Sequence, residues 1–237
     1  MDIDEFKRNF KQARYKTEKY LEETGTKKHM FYGPASDKYW SAPLRVLLLN
    51  MEPYGYEKCD LVNVDYDVLK QWLFDAGKTR TRTVRNSISI AYTLIEAVYN
   101  GKEPSEEAMR KAYQCRDLLE SALQTVAYYN IRPTSNSEKP QDGLEICNSG
   151  LGEISKLIRA ELKALEPHVI FVSGKAGLAA FNAMWDTQLR FRQRHWDGKT
   201  VIQSIRHPSR ISYSESSKMI AEVAKCVKET GHATVTA

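Results

Sequence analysis

No run of apolar residues in this chain approaches the roughly 18 that a membrane-spanning helix needs, so nothing in it reads as a membrane span. The opening residues, MDIDEFKRNFKQ, are charged and lack the apolar centre of a secretory signal. A cytoplasmic protein is expected, with no membrane partner. Cysteine is sparse and scattered. Cys59, Cys115, Cys147 and Cys226 include no C-x-x-C pair, so the spacing supports neither a zinc site nor a disulfide framework. The thiols read as reduced and mostly buried, and no metal or cofactor is expected. Repeats and low-complexity tracts are absent. The Ser173-Gly174-Lys175 corner lacks the G-x-x-x-x-G-K-[ST] spacing of a phosphate loop and reads as tight packing of a helix on a strand. Oligomeric state leaves no trace in the sequence.

What is present bounds the fold. The chain has 237 residues, 42% of them apolar, enough to build one large domain with a sizeable core. A formal charge of +5 permits a nucleic-acid partner without requiring one.

Apolar periodicity alternates between helix and strand. Ile3, Phe6, Phe10, Tyr20 and Leu21 mark an amphipathic helix closed by Gly25, and residues 26–43 read as a long ordered loop. RVLLLN (45–50), TVAYYN (125–130), HVIFVSG (168–174) and TVIQSIR (200–206) read as buried strands, being short continuous apolar runs. Between them lie a short helix over 65–74, a basic loop over 78–85, and a helix over 86–100 opened by Asn86-Ser87. A helix from Ser105 to about Leu119, one stopped by Pro167, one over 175–184 and a last one from Ser214 complete the pattern. The expected fold is α/β: a three-layer α/β/α sandwich around a central, mostly parallel four-stranded sheet. Residues 1–43 are expected to form a helical extension packed on the core, 44–230 the α/β domain, and 231–237 a flexible tail.

In a parallel sheet all strand ends of one sense share an edge, and ligands bind there. The first strand is followed by Asn50-Met51-Glu52-Pro53-Tyr54-Gly55, the second ends in Asn130, and the fourth leads into Arg206-His207-Pro208-Ser209-Arg210. Glu52, Asn130 and His207 are therefore expected to be neighbours. Pro53, Pro133 and Pro208 each restrict φ beside one of these groups. Taken singly, each has an ordinary reading: a solvated loop carboxylate, an Asn turn, a His that satisfies backbone groups. His168, His29, His195 and His232 do not share this setting.

NMEPYG and HPSRIS, in this order at the first and last strands, resemble the two signature motifs of the uracil-DNA glycosylase superfamily, which read GQDPYH and HPSPLS in its best-known branch. AYYN is similar to the strand whose Asn reads the uracil edge, and EPHVIFVSGKAG to the third strand and its turn. The likeness spans roughly residues 44–213. It implies a glycosylase in which Glu52 and His207 are catalytic, and Asn130, Tyr54, Met51 and Phe74 bind the base. Tyr54 would occupy the space beside C5 and refuse thymine. Trp72 is a second candidate for the stacking aromatic. The branch with an iron–sulfur cluster is set aside, because its clustered cysteines are missing. Glu52 stands where the family carries Asp or Asn, and reaches one methylene farther toward a water that must sit within about 2.6–3.2 Å of its base.

Bond cleavage of this kind builds positive charge on the sugar and negative charge on the departing base, which a carboxylate and an imidazole donor stabilise. A base must first leave the helix, at a cost of a few kcal/mol that phosphate contacts help offset. DNA contacts are expected from Lys78, Arg80, Arg82 and Arg85, from Ser209 and Arg210 beside the His, and from Arg190, Arg192, Arg194 and His195. Two other readings stay open: a nucleic-acid binder that has lost the chemistry, and a small-molecule hydrolase with Glu52 as general base.

Overall fold

The computed structural model describes residues 2–24, 30–31, 33–50, 62–63, 66–74, 79–131 and 152–231. Four strands, β3 (Val46–Asn50), β5 (Val126–Asn130), β6 (Val169–Ser173) and β8 (Val201–Ile205), are buried at every position. A strand exposed on one face would alternate, so the sheet is covered on both faces. These four pair in parallel in the order β5-β3-β6-β8.

The sheet is nevertheless six-stranded and mixed, not the four-stranded, mostly parallel one read from the sequence. Strand β2 (Gly33–Pro34) adds antiparallel to β5, and β7 (Arg194–Trp196) adds antiparallel to β8, giving the order β2-β5-β3-β6-β8-β7. Neither edge strand carries an apolar run. Pro34 is tolerated because an edge needs no inward N–H at every residue. The β7–β8 hairpin turns through Gly198 at φ +91, with Asp197 Oδ1 accepting the Lys199 and Thr200 amides at 2.9 and 2.7 Å. A separate parallel pair joins β1 (Met30–Phe31) to β4 (Val62–Asn63).

The described helices form two packed groups, one on each face. The first holds α1 (Ile3–Glu23), α2 (Lys38–Ser41), α7 (Gly152–Ala164) and α8 (Gly174–Trp185). The second holds α3 (Tyr66–Phe74), α4 (Thr79–Tyr99), α5 (Glu106–Gln114), α6 (Arg116–Leu123) and α9 (Tyr213–Glu229). Residues 33–43 lend β2 to the sheet edge, and Tyr39 and Trp40 of α2 are core residues. Gly33 passes so close to α1 that a Cβ there would lie 2.9 Å from the Phe10 ring. Arg14 of α1 donates from Nε to the fully buried Glu161 at 2.8 Å, and the Tyr129 hydroxyl donates to the same oxygen at 2.9 Å.

Two helix readings change. The basic segment 78–85 is not a loop: from Thr79 it is the first third of α4. Thr81, Val84, Ile88 and Ala91 are all buried, a spacing of three, four and three that continues one helical face. Asn86 and Ser87 are thus mid-helix residues rather than caps. The expected helix from Ser105 to Leu119 is two helices, broken at Cys115, whose ψ of 113 is extended. Ser105 does cap the first, accepting the Ala108 amide at 3.0 Å. No helix among the described residues is long and apolar enough to cross a membrane.

Candidate functional site at the carboxyl edge of the sheet

Strand order alone makes β3 the switch point, since the chain crosses to β5 on one side and β6 on the other. Asn50 and Asn130 close their strands as register partners, and the Ile131 amide extends the ladder onto the Asn50 carbonyl at 2.9 Å. Partners in a parallel pair project to the same face, about 4.8 Å apart. Both asparagines are buried. Neither Nδ2 nor Oδ1 of Asn50 has a hydrogen-bond partner among the described residues, although both atoms are shielded from solvent. A buried polar group left unpaired costs about 1–3 kcal/mol. Such a group calls for an explanation, and a ligand is one.

On the other side of β3, strand β6 ends at Ser173, in register with Ile205 at the end of β8. Gly174 then turns at φ +75, where side chains are strained, and a Cβ there would sit 3.9 Å from His207 Cβ. His207 thus stands beside the β6–α8 corner, and β6 is the strand next to β3 and Asn50. Two residues beyond β8, His207 caps the 3₁₀ turn Pro208–Arg210. Its Nδ1 accepts the Ser209 amide at 3.3 Å and lies 2.8 Å from Ser209 Oγ. With its Nδ1 lone pair engaged, the neutral ring carries its proton on Nε2, which is left as a donor. Although His207 keeps an exposed surface, loss of hydration around the ring, and then the Arg210 cation, push its pKa below the ordinary imidazole range. The turn is held from below by α4, where Asn86 Nδ2 donates to the Pro208 carbonyl at 2.6 Å.

The structure therefore brings Asn130 and His207 to one edge of the sheet. Met51, Glu52, Tyr54 and Lys78 lie outside the described residues, as does the side chain of Arg80. Ser209 is half-buried against His207, and Arg210 is exposed. Phe74 packs on the core at the end of α3 with the Arg116 guanidinium 4.3 Å from its ring centre, which accounts for it as a packing residue. Arg82 and Arg85 stand on α4, exposed and half-buried. In the second basic stretch, Arg192 pairs with Glu215 at 2.8 Å and Arg194 with Glu222 at 3.2 Å, both on α9. Arg206 shares Glu215 at 3.6 Å. Those pairings satisfy local carboxylates and reduce what is left for a polyanion; Arg190 is exposed.

Sequence reasoning passed over Asn50, Asn86 and Gly174 as site residues. For Asn50 the signal was present, because two central strands end in Asn at the same register. For Asn86 it was hidden by the apparent cap. No group of three or more metal-binding side chains occurs among the described residues. A concavity between Gly101, Pro104, Ala224 and Lys228 lies at the C-terminal ends of α4 and α9. It is about 15–20 Å along α4 from Asn86 and plays no part at this edge.

Comparison with known protein families, with curated proteins and with solved structures finds no match to this chain.

Proposed function

We propose that this chain is a divergent uracil-DNA glycosylase-like protein that hydrolyses the N-glycosidic bond of uracil, or of a related damaged base, flipped out of DNA. The observation that carries the reading is a neutral imidazole held at the sheet edge with one nitrogen engaged by its own turn. Two strands away stands the buried amide of Asn50, with no hydrogen-bond partner among the described residues. The two strands that carry these groups, β8 and β3, are separated by two strand spacings, roughly 10 Å. A flipped pyrimidine is of the size to bridge them.

The chemistry is consistent with that frame. As the glycosidic bond breaks, its electron pair leaves with the base and a water oxygen adds to the sugar carbon. His207 Nε2–H donates to the oxygen on which the base's negative charge grows, and being fixed in advance it costs no reorganisation. An Asn amide donates and accepts at once, matching the paired edge of uracil, and Asn130 and Asn50 together offer two such edges. By the family resemblance, Glu52 would orient the water and stabilise the cationic sugar.

The test is cleavage of single- and double-stranded oligonucleotides carrying one uracil, developed with alkali. Breaks at uracil that vanish in Glu52→Ala and His207→Ala proteins support the reading. Binding without breaks assigns the chain to the non-catalytic binders. Turnover of free nucleosides or esters with no effect on DNA makes it a small-molecule hydrolase.

A further inference from the structure

Three helices meet beside the His207 turn, and their contact is built from arginine and tyrosine. Arg82 and Arg85 come from α4, Arg110 and Tyr113 from α5, and Tyr213 is the first residue of α9. The Arg85 guanidinium sits 4.8 Å from the Tyr113 ring centre, and that of Arg110 sits 5.3 Å from the Tyr213 ring centre. The two rings lie 6.0 Å apart at 59°. Both tyrosines are half-buried, while Arg82 and Arg110 are exposed.

The cluster holds no acid. Several arginines elsewhere on the surface face carboxylates: Arg116 meets Glu120 at 2.9 Å, Arg192 meets Glu215 and Arg194 meets Glu222. Among the described residues no carboxylate pairs with Arg82, Arg85 or Arg110. Arg85 Nε is buried with no hydrogen-bond partner among them. Burial, then the neighbouring Tyr113, raises the Tyr213 phenol above its ordinary pKa, so it adds no negative charge at neutral pH. Three cations are thus gathered against their mutual repulsion, with rings that hold two of them in place by cation–π contact.

We propose that Arg82, Arg85, Arg110, Tyr113 and Tyr213 form a docking surface for single-stranded nucleic acid. The arginine forks take consecutive phosphates, and an unpaired base rests on the tyrosine pair. The inference rests on the nucleic-acid reading above and extends it from the base pocket to the flanking strand. Arginine matches phosphate with two parallel N–H donors, as a lone ammonium cannot. The aromatic component selects the single strand, since a duplex offers phosphates but keeps its base faces stacked. The position fits as well. Asn86 lies one residue past Arg85 and bonds the turn that carries His207, so a strand held here runs directly past that turn.

Fluorescence anisotropy of the full chain with a labelled thymidylate 20-mer, across a salt series, tests this without any base release. Arg85→Ala/Arg110→Ala should flatten the plot of log affinity against log salt by about 1.4, from two lost phosphate contacts on a single strand. Tyr213→Leu should weaken binding about tenfold or more at every salt concentration, with little change in slope. Arg8→Ala, on the distant α1, serves as the control, and thermal melts establish that each variant is folded. An unchanged slope in the folded double variant, or a duplex 20-mer that binds as tightly as the single strand, overturns the proposal. A chain that binds through the cluster yet never releases uracil overturns the glycosylase reading alone. One that releases uracil with its slope unaltered overturns the cluster alone.

Discussion

Asn86 reaches from the middle of α4 to the Pro208 carbonyl, 2.6 Å away, and so ties a helix on one face of the sheet to the turn that carries His207. Both partners are buried. Removing the amide strands a buried carbonyl, and Asn86→Ala should cost about 1–3 kcal/mol in urea unfolding. On the glycosylase reading proposed above, uracil release should fall further than that stability loss explains, because the turn loses its anchor. A variant that is destabilised but releases base at the normal rate would make Asn86 purely structural.

The unpaired amide of Asn50 predicts a trade between stability and function. Asn50→Leu has a similar volume and removes an unsatisfied group, so the protein should become more stable, by up to about 1–3 kcal/mol. On the reading proposed above, base binding should collapse in the same variant. Chemical denaturation and the cleavage assay together decide: a loss of stability with activity retained would show that the amide serves the fold.

His207 gives a pH prediction whose sign follows from its lowered pKa. The unfolded chain binds this proton more readily than the folded one. The contribution of His207 to stability is therefore complete above the ordinary imidazole value near 6.5, and is lost as pH falls through the lower folded value. NMR titration of the imidazole should show a midpoint below about 6.5. Arg210→Ala should raise that midpoint by removing the neighbouring cation. A midpoint unmoved by the substitution would leave loss of hydration as the sole cause.

Arg14 and Glu161 lock α1 onto α7 in a buried setting, with Tyr129 as the third member. Arg14→Ala leaves a buried carboxylate without its cation and should cost about 3–5 kcal/mol. Replacing both with apolar residues, Arg14→Met with Glu161→Leu, should recover most of that loss. Equal destabilisation in the single and double variants, measured by urea unfolding, would contradict this account.

Local pattern determined the middle of this protein. Short, mostly apolar runs bounded by turn residues read as strands buried on both faces, and all four of them pair as a parallel core. The Asn at the end of β5 and the His after β8 were legible for the same reason, since a polar residue that closes a buried run must lie at the sheet's edge. What depended on partners distant in sequence was not legible. Gly33-Pro34 becomes a strand only because β5 offers it an open edge, and Arg194–Trp196 only because a turn folds it back on β8. The helical state of residues 79–85 comes from burying Thr81 and Val84 against the core, which outweighs the weak helix preference of threonine. Likewise a count of basic residues cannot tell Arg192 from Arg110. Their difference, a carboxylate at 2.8 Å for the one and a tyrosine face for the other, comes from elements that meet only once the chain has folded.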